Sequence, residues 1–206
     1  MKKYFSFFLA GFVCMLLSSC VPEFVNPLVN PQNNLPDSRL LGEWILKDKK
    51  ETDNYILFLR NPGGDLICKT FEKDSEGKNR EEEISCIPSI FEEDTFLSIK
   101  LKEVNSGETS EYYYIIKYEI REETLSFYHF KNEVLVQAIK DNKIKGRIQT
   151  YESSLKPKGK EKAPVHEYPL IEETSENLIR FIKSMKKEEL FEAGDDYVRR
   201  KALDRK

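Results

Sequence analysis

Apolar and polar residues alternate through most of this chain. From residue 40 onward the dominant period is two, the spacing of a strand with one buried face. Residues 95–104 put Leu97, Ile99 and Leu101 on one face and Ser98, Lys100 and Lys102 on the other. Residues 112–120 put Tyr112, Tyr114, Ile116, Tyr118 and Ile120 together. The same reading predicts strands over 41–46, 54–60, 65–72, 81–89, 124–130 and 143–151, which makes eight. Turn-rich segments such as Asn61-Pro62-Gly63-Gly64 and Asn105-Ser106-Gly107 separate them. Residues 165–171 are expected to add an edge strand.

Two segments change the period. Residues 132–141 carry Val134, Leu135, Ala138 and Ile139 at helical spacing, which predicts a short helix between the last two strands. Residues 175–193 carry Leu178, Phe181, Ile182, Met185 and Leu190, which predicts a C-terminal helix. Thr174 or Ser175 can cap its start and Gly194 can end it. Sequential antiparallel strands leave two open edges unless the sheet closes. The expected fold is therefore mainly β: an eight-stranded up-and-down barrel, with a lumen that side chains fill or that holds one small ligand. The domain is expected over 40–194, with a charged tail over 195–206.

Gly42-Glu43-Trp44 in the first predicted strand resembles the G-x-W of lipocalins and other calycins, in which a tryptophan from strand one closes one end of the barrel. The order of strands and C-terminal helix also resembles small bacterial lipoproteins with lipocalin-like barrels. The resemblance implies a fold and an apolar ligand, not a reaction. For an arginine to stack on Trp44, the candidate is Arg147 in the eighth predicted strand.

The N-terminus supplies an address. Met1-Lys2-Lys3 precedes an uncharged apolar run over 4–17. That run is short for a membrane span, which needs roughly 20 residues, and has the length of a secretory leader core. It ends in Leu17-Ser18-Ser19-Cys20, which resembles the lipobox of bacterial lipoproteins. The resemblance implies a signal peptide over 1–19, cleavage between Ser19 and Cys20, and thioether lipidation of Cys20. A further acyl chain, palmitate in kind, would sit on the new N-terminus. Each buried CH₂ contributes about 0.8 kcal/mol, so two or three chains hold a domain to a membrane without a spanning helix. Val21 follows the cysteine where Asp would mark inner-membrane retention, so the resemblance implies the outer membrane, facing the periplasm. Residues 20–39 carry Pro22, Pro27, Pro31 and Pro36, which predicts a flexible tether.

Composition narrows the partners. The chain has a net charge of −3, from 33 basic and 36 acidic residues. Removing the leader takes its two lysines from the 33 and leaves 31 against 36, a charge of −5. This excludes the basic footprint of a nucleic-acid binder. Cys68 and Cys86 are the cysteines left in the mature domain, symmetric about Gly77. If a hairpin turns there, they face each other as a candidate disulfide, adding about 3 kcal/mol in the chain-entropy model. The alternative is two buried thiols.

No nucleophile elbow, phosphate loop, dinucleotide fingerprint or zinc spacing occurs, so no catalytic residue, metal or cofactor is expected. Glu81-Glu82-Glu83 reads as a solvated strand end. His129 shares a face with Leu125 and Phe127 and reads as a core residue. The candidate ligand or interface residues are Trp44, Tyr112, Tyr114, Tyr118, Phe127 and His129, because tyrosine joins an apolar body to a polar tip. Two non-enzymatic functions remain. One is a lipid-anchored envelope protein that binds a small apolar ligand or an envelope component. The other is a periplasmic interaction or inhibitor module with a filled barrel. The anchor is tested by Cys20→Ser, which is expected to move the protein from the membrane to the soluble fraction. Retention in the membrane under the same extraction would contradict the lipobox reading.

Overall fold

The structure, a computed structural model, describes residues 21–29, 37–47, 54–73, 77–105, 108–152 and 165–200. The strands are β1 (Glu23–Phe24), β2 (Gly42–Leu46), β3 (Tyr55–Arg60), β4 (Leu66–Lys73), β5 (Asn79–Phe91), β6 (Asp94–Asn105), β7 (Glu108–Arg121), β8 (Thr124–Phe130), β9 (Gly146–Glu152), β10 (Val165–Ile171) and β11 (Phe191–Arg199). The helices are α1 (Asn132–Lys140), α2 (Ser175–Lys183) and α3 (Lys187–Leu190), and a 3₁₀ turn, Ser38–Leu40, precedes β2. Among the described residues no helix is long and apolar enough to cross a membrane. The expected leader, 1–19, and the expected lipidation site, Cys20, lie outside the described residues.

β2 to β8 form an antiparallel meander, and β11 closes it by pairing with both β8 and β2. The result is the expected closed eight-stranded up-and-down barrel. Its eighth strand is not the expected one. Residues 146–152 do form a strand, but it pairs with β10 outside the barrel. β1 joins that β9–β10 ribbon to β7, parallel to β10 and antiparallel to β7. β9 is thus the sheet edge, and β10 lies inside the ribbon.

The closing strand arises where a helix and a charged tail were expected. α2 begins as anticipated, with Thr174 Oγ1 accepting from Asn177 N at 3.4 Å, but it ends at Lys183. Asp195–Arg199, read as tail, belong to β11, and Arg200 N donates to Glu43 O at 2.9 Å. The reason is a bulge. Ala193 pairs with Tyr128 and Asp196 with Ser126, so one extra residue enters at Gly194-Asp195. The extra residue inverts the side-chain phase. Phe191 therefore faces out of the barrel while Tyr197 faces in.

Two cores share one wall. The lumen core holds Trp44, Phe58, Leu97, Tyr114, Ile116, Tyr118, Leu125, Phe127 and Tyr197. The second core lies outside the barrel, where α2 and the β1 segment pack on the outer face of β6, β7 and β8, and α1 packs against β9 and β10. It contains Phe24, Leu28, Phe96, Ile115, Phe130, Leu178, Phe181 and Phe191. Ser98 and Lys117, on the face expected to be polar and solvated, are buried beneath this layer. Ser98 Oγ accepts from Leu28 N at 2.9 Å, and Lys117 pairs with Asp94.

The expected tether is not free over its described part. Phe24 and Leu28 are 1% and 0% exposed. Val25 N donates to Ile171 O at 2.9 Å, and Ser175 Oγ to Pro27 O at 2.7 Å. The prolines do bar a long strand here, and the two-residue β1 is what remains. Buried apolar side chains then fix the segment. Leu28→Ala is expected to destabilise the domain by about 3 kcal/mol, the usual size for a fully buried leucine. Urea unfolding measures this, and a change within about 0.5 kcal/mol would show that the segment does not hold the fold.

Candidate functional site

The barrel has one closed end. Trp44 points inward from β2 and is fully buried, with Nε1 donating to Leu40 O at 2.7 Å. The guanidinium of Arg199, from β11, lies over the indole at 4.4 Å from the ring centroid. It donates through Nη1 to Leu41 O at 2.8 Å and through Nη2 to Arg39 O at 2.6 Å, and Nε lies 3.2 Å from Glu123 Oε2. Gly42 makes room for it. A Cβ at that position, where φ is +121°, would lie 2.8 Å from Arg199 Nη1. The arginine that stacks on Trp44 is therefore Arg199, not Arg147. Arg147 sits on β9 outside the barrel, 2.7 Å from Glu172. The arrangement is consistent with a lipocalin-like fold.

Asp37 adds to this floor. Burial pushes its carboxyl pKa up, but hydrogen bonds from the Arg39 side chain and backbone outweigh burial and hold it below the usual range. The Arg39 Nη2 contact is 2.8 Å, and Tyr118 OH donates to Asp37 Oδ2 at 3.5 Å. Burial, with Asp37 beside it, drives the Tyr118 phenol upward.

Five of the six candidate residues meet in the lumen: Trp44, Tyr114, Tyr118, Phe127 and His129. Tyr112 lies further along the same face of β7, half-buried opposite Leu101. Among the described residues, the lumen holds no chamber around Trp44, Tyr118 and their neighbours. A chamber that admits water leaves accessible area on its lining. Trp44, Ile56, Leu97, Ile116, Tyr118 and Leu125 are each 0% exposed.

His129 is the one titratable imidazole in this interior. Its Nδ1 is hydrogen-bonded to Tyr114 OH. Gly194, at the β11 bulge, lets the ring approach, since a Cβ there would lie 2.2 Å from Nε2. Burial pushes the His129 pKa down, and Asp195 opposes that shift. Burial also raises the Tyr114 phenol, with Glu192 adding to it. The pair is a satisfied buried contact. A neutral, partly desolvated imidazole bonded to a phenol of raised pKa has no activated nucleophile beside it.

Cys68 and Cys86 are both buried and both free. The hairpin register differs by two residues from the symmetric one: Cys68 pairs with Ile84, and Leu66 with Cys86. The thiols are therefore diagonal neighbours on the lumen face rather than directly opposed. A hydrogen bond between them, and then burial, raises the Cys68 thiol well above its ordinary value.

Outside the barrel, a cleft of about 580 Å³ lies between the closed end and the C-terminal helices. Arg39, Asp94, Lys117, Glu119, Arg121 and Lys187 line it. Lys117 pairs with Asp94 and Lys187 with Glu119, so its main charges are already matched. It is the polar opposite of an apolar carrier site. Among the described residues, no group of His, Cys, Asp and Glu converges as metal ligands do.

Sequence reasoning missed Arg199 and the Asp37–Arg39 pair. The signal for Arg199 was Tyr197 and Arg199 on one face of 195–199, hidden by the bulge. The chain matches no family model, no curated protein and no solved structure.

His129 yields a pH dependence with a fixed sign. Its folded pKa lies below the unfolded value of about 6.5, so the unfolded chain binds the proton more readily. Its contribution is intact above about pH 6.5 and is lost as pH falls through the depressed folded value. The thermal stability of the wild type is expected to fall from about pH 7 to about pH 5.5, above the carboxylate range. His129→Gln is expected to flatten that slope, and an unchanged slope would assign it to other groups.

Proposed function

We propose that this protein is a lipid-anchored envelope lipoprotein with a lipocalin-like barrel that acts as a non-enzymatic interaction module. It is held to the membrane, in the outer membrane facing the periplasm, by acyl chains on Cys20. It engages an envelope protein through its outer surface. The observation that carries this reading is the filled lumen. An apolar carrier needs a chamber of a few hundred Å³. Among the described residues, the walls around Trp44, Ile56, Leu97, Ile116, Tyr118 and Leu125 have no accessible area to line one. Accessible lumen-facing side chains are confined to the rims, as at Ile84, Leu101 and Tyr112. Between the two functions open from the sequence, this favours the interaction module over the small-ligand carrier.

Burial of the segment after Cys20 supports the same reading. Val21 packs against the lumen core and Pro22 is buried, so the anchor would leave the barrel wall without slack. A domain held that close to the bilayer meets partners at the membrane surface rather than shuttling a cargo across the periplasm.

Native mass spectrometry of the detergent-extracted protein tests the proposal. A bound protein partner, and no small apolar molecule at one copy per chain, is expected. A retained lipid or other small apolar molecule in that ratio would restore the carrier.

A further inference from the structure

The barrel wall divides at Cys86. β5 pairs with β6 from Cys86↔Ile99 to Phe91↔Asp94 and no further. β4 pairs with β5 from Leu66↔Cys86 to Lys73↔Asn79, on the other side of the same residue. The β6–β7 ladder meanwhile continues to Asn105↔Glu108. Above Cys86 the β4–β5 hairpin and the β6–β7 hairpin are thus separate arms. Among the described residues, no strand pairs with residues 79–85 of β5 on the side that faces β6.

An unpaired strand edge presents alternate N–H and C=O groups to any chain that can lie beside it. Sheets guard such edges with charged side chains, proline, a bulge or a very short strand. Charge, which repels a like-charged strand but admits an oppositely charged one, is the guard that Arg80 and Glu81 to Glu83 supply here. Residues 79–85 read Asn-Arg-Glu-Glu-Glu-Ile-Ser, without proline, and their register against β4 has no shift. Asn79, Arg80, Glu81, Glu83 and Ser85 are exposed. Ile84, half-buried on the inner face, packs on the lumen core, as does Leu101 from the other arm. The edge therefore has an apolar floor.

Its charge is unbalanced. Lys69 is shared between two carboxylates, 2.8 Å from Glu81 and 3.2 Å from Glu83, and Arg80 pairs with Glu82. One negative charge remains over these side chains. The edges of β9 and of the facing stretch of β6 beyond Ile99 are competing sites, but Arg147 of β9 is already paired with Glu172, and Lys100 of β6 pairs with Glu111 and would repel a basic segment.

We propose that residues 79–85 are the docking edge for the partner, and that the partner supplies an extended segment of alternating aliphatic and basic residues. The segment adds to β5 as a further strand. Its aliphatic side chains cover Ile84 and Leu101, and its lysines or arginines lie beside Glu81 and Glu83. This rests on the interaction-module reading and names the chemistry of the partner.

The test uses the mature chain and a labelled octapeptide of alternating valine and lysine. Fluorescence anisotropy is expected to show saturable binding. Hydrogen exchange is expected to slow at alternate amides within 79–85. Charge reversal by Glu81→Lys with Glu83→Lys, and separately Ile84→Glu, is expected to weaken binding by about tenfold or more, the equivalent of about 1.4 kcal/mol. A valine–glutamate octapeptide is expected not to bind. The proposal is overturned if the basic peptide does not bind, if protection falls on 146–152 instead, or if two copies pair through 79–85 and exclude the peptide. A protein partner seen by mass spectrometry without peptide protection at β5 would sink this inference alone. A small apolar molecule in the lumen would sink the functional reading while leaving the edge measurement to be scored separately.

Discussion

The barrel closes where its first strand meets its last. β2 and β11 share three residue pairs, Leu46↔Tyr197, Ile45↔Val198 and Trp44↔Arg199. So short a ladder needs reinforcement, and Arg199 supplies it. Its guanidinium covers Trp44 and reaches two carbonyls of the turn that precedes β2. Hydrogen bonds from a charged donor contribute about 1.5–3 kcal/mol each, and a cation over indole adds about 0.5–2 kcal/mol. Only glycine at position 42 leaves space for that side chain. The same contact ties the 3₁₀ turn, with Asp37 and Arg39, across the barrel floor. Without this clasp, β11 would lose its seam with β2, and the lumen core would open to water.

The other half of the molecule depends on a wall that is buried twice. Tyr114, Ile116 and Tyr118 of β7 face the lumen, while Ile115 and Lys117 face the outer layer. α1, α2 and the segment around Phe24 and Leu28 form that layer. The helices serve a second purpose by carrying the chain from the end of β8 to the start of β11. Because both sides of the wall are packed, an expanding lumen would have to push against a second core. A filled barrel backed by an outer layer suits a rigid surface rather than an adaptable container. Among the described residues, what stays open is backbone edge, at β5, at the facing stretch of β6 and at β9, and the charged cleft beside the clasp.

Most of the barrel was legible because alternation is a direct signal of a half-buried strand. The strands at 42–46, 55–60, 66–73, 79–91, 94–105, 108–121 and 124–130 all follow it. α1 was legible from four apolar residues at helical spacing. The closing strand was not, because the bulge at Gly194-Asp195 inverts the phase within nine residues. That single irregularity also hid Arg199 and left Arg147 as the apparent partner of Trp44. β9 has the right period but the wrong neighbour, since periodicity gives a buried face and not a pairing. Phe24 and Leu28 were obscured by the prolines around them. Long-range burial decided their state, and local propensity says little about it. The cysteines show how fine the limit is. A two-residue difference in register keeps both on the lumen face and still takes them out of direct opposition.

A lumen packed around Trp44 leaves no room for a cargo, and the proposed role at the outer surface depends on that packing. Trp44 is the only tryptophan and sits at the lumen floor, so energy transfer from it to a fluorescent fatty acid reports directly on occupancy. Titration of the mature protein is predicted to give no saturable transfer that unlabelled fatty acid can displace. A saturable signal at one probe per chain, reversed by competition, would contradict the account.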